Sequence, residues 1–192
     1  MNQFEIVDAA IKFAVDAHAG QTRKSGGAPV ILHPLEAAAI CATITLDPEV
    51  IAAAALHDTV EDTDVTVDQL KAAFGQRVAR IVSGESEDKR EGRPASSTWK
   101  LRKQEFLDSL EDACEEELVV SLCDKLSNMR SFHRDIKAKG DAIWDNFNQS
   151  DPREHAWYYR SIAQITKPTL GHTDAWSEYN RLTEEVFSRY DS

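Results

Sequence analysis

The chain has 192 residues, with 33 acidic against 22 basic side chains, a formal net charge of −11 and 42% apolar residues. That length suits one domain with a sizeable core, and the composition excludes disordered, collagenous and coiled-coil classes. The acidic balance disfavours non-specific nucleic-acid binding, which needs a basic surface, yet permits a small anionic substrate in a local basic pocket.

The longest apolar run, residues 50–56, falls far short of the roughly 18 residues of a membrane span. The opening Met1-Asn2-Gln3-Phe4-Glu5 has neither the basic region nor the apolar stretch of a secretory leader. Cys41, Cys114 and Cys123 are odd in number and form no CxxC, so no disulfide framework is expected and a reducing cytoplasm is the expected compartment.

Helical signals dominate from the start. Ile6, Ala9, Ala10, Phe13 and Ala17 recur at three- and four-residue steps, with Gly20 as a C-terminal cap. Residues 21–29 read as a loop, and His33-Pro34 opens a second helix to about Ile44. Asp47-Pro48-Glu49 combines a capping Asp, a Pro at the first position and an acid in the first turn. The run that follows is apolar on every side, which predicts a helix buried in a bundle.

Thr66 caps a short helix over 67–74 that Gly75 ends, and another covers 77–82. Residues 85–98 are polar, with Gly92 and Pro94, and read as a surface loop or flap. Helices are predicted from Lys100 to about Ala113 and from Glu116 to about Asp135. The second carries an apolar stripe of Leu118, Val119, Leu122, Leu126 and Met129. A helix over 154–165 is broken by Pro168 to Gly171, and a terminal helix runs from about Thr173 to Arg189. Period-two strands, hairpin turns and internal repeats are absent, so the fold class is all-α.

The chemistry concentrates in His57-Asp58-Thr59-Val60-Glu61-Asp62-Thr63, at the end of the apolar helix. If that helix continues, Glu61 lies i+4 from His57 and Asp62 lies i+4 from Asp58, stacking the pairs on one face. Burying such a set without a counter-charge is expensive, and a divalent cation resolves it. His33 opens an earlier helix, and Asp124 sits mid-helix on an apolar stripe where an Asp is not expected. Two imidazoles and two carboxylates suit several metals, from Zn and Fe to Mn. Asn128 is i+4 from Asp124 and faces the same space. The plainer alternatives are a metal-free helix end at His57-Asp58, a core Asp124 paired with Lys125 or Arg130, and a solvated turn at Arg23-Lys24.

His33, His57-Asp58 and Asp124 in an all-α chain resemble the HD-domain metal phosphohydrolases. A fuller set is Arg23-Lys24-Ser25-Gly26-Gly27-Ala28-Pro29 with His33-Pro34, the 57–63 stretch, and Cys123-Asp124-Lys125-Leu126-Ser127-Asn128. It resembles the hydrolase domain of the RelA/SpoT alarmone family, and at this length the small alarmone hydrolases. The resemblance covers roughly residues 5–170. It implies an HD-domain helical bundle over residues 1–170, with 171–192 as a C-terminal helix packed on the same domain. The implied activity removes the 3′-pyrophosphate of guanosine tetra- or pentaphosphate, giving GDP or GTP plus pyrophosphate, without synthetase activity.

The implied cofactor is manganese, Mn2+, held by His33, His57, Asp58 and Asp124. Glu61 and Asp62 match the family's catalytic acidic pair. Arg23 matches a guanidinium that packs on the purine, with Lys24 beside it, and Asn128 matches a contact to the nucleoside. Leu101-Arg102-Lys103 matches a helix whose basic residues approach the substrate phosphates, and Tyr158 or Tyr159 matches an aromatic near the site. Lys100, Arg130, Arg134 and Lys137 are further cationic candidates. One departure is Val30 after Pro29, where the family commonly has Tyr, which bears on base preference. The expected partner is a small nucleotide, with no nucleic acid and no membrane, while homo-oligomer formation stays open. The alternatives are another HD-type nucleotide phosphohydrolase, acting on an adenosine alarmone, a nucleoside monophosphate or NADPH, and a binding module without turnover.

Overall fold

A computed structural model describes residues 4–23, 27–88, 90 and 92–191. Among them no β-strand forms beyond a single bridge between Thr22 and Pro29, and the architecture is the all-α bundle that the periodicities predict. No helix among the described residues is long and apolar enough to cross a membrane.

Helix α1 (Glu5–Ala17) buries Ala10 and Ala14, and α2 (Leu32–Ile44) follows the loop that ends at Pro29 and Val30. Helix α3 (Pro48–Leu56) starts as its sequence dictates: the Asp47 carboxylate accepts from the Glu49 N–H at 3.0 Å, with Pro48 at the first position. Every residue from Val50 to Leu56 is buried, because α1, α2 and two later helices pack around α3. Leu56→Ala is expected to cost about 2–5 kcal/mol, since Leu56 has no exposed surface and its rigid neighbours cannot collapse into the gap. Urea unfolding of the variant measures it.

Helix α3 does not run on through His57. The Thr59 hydroxyl donates to the Leu56 carbonyl at 2.7 Å and ends the helix, and a separate single turn, α4 (Thr59–Asp62), restarts behind it. The Asp58–Asp62 step keeps a helical bond, from the Asp62 N–H to the Asp58 carbonyl at 2.9 Å. The continuous stacked face expected from the sequence is therefore replaced by a corner.

Thr66 and Gln69 form a reciprocal capping box at the start of α5 (Val67–Glu85). Gly75 interrupts α5 with φ of +90°, a conformation open to glycine, so two helical pieces meet there as the sequence predicts. Helix α6 (Ala95–Glu111) begins five residues before Lys100, inside the stretch read as a loop. Its first turns are polar in sequence, yet Thr98 and Trp99 face the core.

Helix α7 (Glu115–Lys139) runs past Asp135, and a 3₁₀ turn over Gly140–Asn146 then buries Ile143 and Trp144. Helix α8 (Pro152–Leu170) passes through Pro168 without ending. The missing N–H costs one bond in the last turn, while burial of Thr166 and Leu170 on either side holds the helix. Helix α9 (Asp174–Phe187), capped by Thr173, packs on α7 and α8.

Candidate metal centre

Three helix ends and one helix middle bring the site together. His33 lies in the first turn of α2, His57 and Asp58 at the corner between α3 and α4, and Asp124 halfway along α7. The His33 and His57 Nε2 atoms stand 3.2 Å apart. Asp124 Oδ1 is 2.9 Å from His33 Nε2 and 3.6 Å from His57 Nε2. Asp58 reaches His57 Nε2 at 3.2 Å and His33 Nε2 at 3.6 Å.

The far side of each imidazole fixes what faces the cluster. His57 Nδ1 lies 2.8 Å from the Ala54 carbonyl, which only accepts, so Nδ1 carries the proton. Ser127 Oγ donates to Glu36 at 2.7 Å and therefore accepts from His33 Nδ1 at 2.8 Å. Both Nε2 atoms then present lone pairs to each other and to two carboxylates. His33, His57 and Asp58 could together hold a metal ion, with Asp124 beside them, and the mixed nitrogen–oxygen set suits a divalent one.

The electrostatics say the same. Burial pulls His57 down, but the Asp58 and Asp124 carboxylates outweigh it and raise the imidazole to about 10. Burial pushes Asp124 up, while the charges of Lys125 and His57 hold it well below the usual carboxylate range. Asp58 is lowered against its burial by His57 and His33. A proton thus takes the cation's place wherever the donors are left to themselves.

These groups form the floor of an open cleft of about 560 Å³. Glu61 and Asp62 line one wall from α4. Burial, then the charges of Glu87, Asp62 and Asp58, raise Glu61 to about 7. Arg23 overhangs the cleft from the loop closed by the Thr22–Pro29 bridge, and its guanidinium donates to Asn128 Oδ1 at 2.8 Å. Asn128 in turn donates to Asp124 Oδ1 at 2.7 Å, tying the overhang to the floor. Val30 lines the same wall. Lys24 lies outside the described residues.

Lys103, Tyr158 and Tyr159 line the cleft as well. Lys100, Arg130, Arg134 and Lys137 do not line it. Lys100 sits 3.2 Å over the Trp157 ring, and Arg130 is held by Glu36 and Glu178. Arg102 does not line it either and pairs with Glu87 at 2.8 Å.

Further groups line the cleft beyond the site residues named from the sequence, and the pairing of Asp124 with Lys125 that the sequence left open does form. Lys125 is buried and binds both Asp124 and Glu85, the latter at 3.4 Å. Burial raises Glu85 to about 7 against the pull of Lys125. Its signal was present: Glu85 continues the buried Val78, Ile81 and Val82 stripe at three- and four-residue steps. Phe132 likewise continues the Leu122, Leu126, Met129 stripe of α7, and His155 starts the Tyr158, Tyr159, Ile162 stripe of α8, whereas Glu87 and Phe147 lie outside the α-helices and only tertiary packing brings them in.

The HD-domain family model matches residues 10–151, which include all four donors. The chain is a member of the HD-domain family. Among curated relatives, a guanosine-3′,5′-bis(diphosphate) 3′-pyrophosphohydrolase from Aquifex aeolicus is 37% identical over 95% of this chain and 24% of its own length. The enzyme of that name from Danio rerio, MESH1, is 40% identical over 65% of this chain and 67% of its own. The chain spans a quarter or less of the length of the first long relatives it matches. A solved structure described as a metazoan ortholog of SpoT that hydrolyzes ppGpp superposes with a TM-score of 0.74. It covers 97% of this chain and 96% of that one at 19% identity, a likeness of fold.

Proposed function

We propose that this HD-domain protein is a metal-dependent 3′-pyrophosphohydrolase of guanosine 3′,5′-bis(diphosphate) and its pentaphosphate. It would release pyrophosphate and leave GDP or GTP. The observation that carries the reading is the convergence of His33, His57, Asp58 and Asp124 beneath a cleft edged by Glu61, Asp62 and Arg23. The names of the Aquifex and Danio relatives supply the substrate class. Mn2+ is the ion proposed. Residues 1–170 form the catalytic unit on this reading, with 171–192 as a helix packed on it. Three cysteines without a disulfide motif support a cytoplasmic setting.

When bound, a divalent ion supplies hydroxide near neutral pH and offsets charge on phosphoryl oxygens. The four donors hold it, and Ala54 and Ser127 fix the two rings so that Nε2 faces inward. Glu61 and Asp62 orient the attacking water or move its proton, and the raised Glu61 carboxyl exchanges protons near neutral pH. The leaving ribose 3′-oxygen takes a proton from the same wall. Arg23 stacks its guanidinium on the purine while Asn128 holds it in place, and such a stack accepts any purine.

Purified protein assayed with Mn2+ against guanosine and adenosine alarmones, nucleoside monophosphates and NADPH tests the reading. Pyrophosphate release from the guanosine alarmone, abolished by chelator, is expected. Preference for a monophosphate or NADPH would move the protein to another branch of HD phosphohydrolases, and binding without release would make it a sequestering module. Arg23→Ala is expected to raise KM about 5–30-fold, matching the ~1–2 kcal/mol of a desolvated guanidinium–aromatic stack. Its metal affinity should stay as in the parent protein, as titration calorimetry can show.

A further inference from the structure

A cleft that receives a polyphosphate needs cations, and this one is lined mainly by acids. Six carboxyl groups face it, against three cations among the described residues: Arg23, Lys103 and Lys125. Lys125 is held by Asp124 and Glu85, inside the metal cluster. Arg23 is committed to the overhang. Lys103 is the cation whose partner lies outside the metal donors, and that partner is Glu87.

The Glu87 side chain is only 8% exposed, although it sits on the polar segment between α5 and α6. Its two oxygens are divided: Oε2 takes Arg102 at 2.8 Å and Oε1 takes Lys103. Beside Lys103 lies the Tyr158 ring, 4.7 Å from its ammonium, and the buried Tyr158 hydroxyl has no hydrogen-bond partner. A cation with a carboxylate already seated on it, next to an unused hydroxyl donor, describes an anion subsite filled from within the chain.

We propose that Glu87 is an internal stand-in for a substrate phosphate, holding Lys103 until a phosphoryl group of the ligand takes its place beside Tyr158. The exchange is inexpensive because Glu87 keeps Arg102 through its other oxygen. The arrangement also selects: a ligand without an anionic group at that end has nothing with which to displace the carboxylate. The inference deepens the proposed function and rests on its reading of the cleft as a phosphate-ester site.

Titration calorimetry with inorganic pyrophosphate tests it, on protein loaded with Mn2+ and again after chelation, because the ion itself binds pyrophosphate. Glu87→Gln is expected to bind pyrophosphate about tenfold tighter than the parent in both conditions. Adding Lys103→Met to Glu87→Gln should erase the gain. An unchanged affinity in Glu87→Gln, or a gain that survives the loss of Lys103, overturns the assignment. Should Glu87→Gln fail to fold with Arg102 unpaired, Arg102→Met with Glu87→Gln removes both buried charges and carries the same expectation. Pyrophosphate is not turned over, so the two readings fail separately. Tightening without alarmone hydrolysis sinks the substrate and keeps Glu87, whereas hydrolysis without tightening sinks Glu87 alone.

Discussion

Asp58→Ala is expected to lose both tight metal binding and hydrolysis, with activity falling to the level seen in chelator. Asp58 faces both imidazoles, and without it one formal charge and one donor leave the set. Asp58 is the cleaner choice of the two aspartates. Its side chain is 21% exposed, and the two buried imidazoles it faces keep Asp124 beside them, so the fold should survive. Removing Asp124 would strand Lys125 in the interior and mix metal loss with unfolding. Calorimetric titration of Mn2+ and a thermal melt, run on the same preparation, separate the two effects. A variant that binds the ion as tightly as the parent would remove Asp58 from the donor set.

Glu61→Gln combined with Asp62→Asn is expected to leave metal affinity intact and reduce kcat by about 10²–10⁴-fold, the usual worth of positioned proton transfer. Both residues line the cleft wall beyond the donor cluster. Normal turnover in the double variant would overturn the role. The single variants then divide the work through the pH profile. With Glu61 at about 7, a base role makes the rate fall as pH drops below that value, and an acid role makes it fall above. In either case Glu61→Gln removes that limb of the profile, while Asp62→Asn retains it.

Much of this was legible along the chain. The helices followed from apolar steps and caps, as at Asp47-Pro48 and at Thr66 with Gln69. The four converging residues stood out because short runs carried them and because Asp124 broke an apolar stripe. What stayed hidden depended on distance along the chain. The corner at His57 comes from one threonine hydroxyl competing for the Leu56 carbonyl, a choice that helix propensity does not register. Glu87 looked like a loop acid, and only the folded chain sets it against Arg102 and Lys103. The start of α6 was missed because Ser96, Ser97 and Thr98 are turn formers in isolation, and burial of Trp99 overrides them.

The hydrogen bond that orients His33 does not stop at Ser127. It passes to Glu36, from Glu36 to Arg130 at 3.2 Å, and from Arg130 to Glu178 on α9. The last helix of the chain is thus moored to an imidazole ring far from it in sequence. Shortening the C-terminus would take away more than packing area: it would slacken the line that keeps that ring turned toward its work.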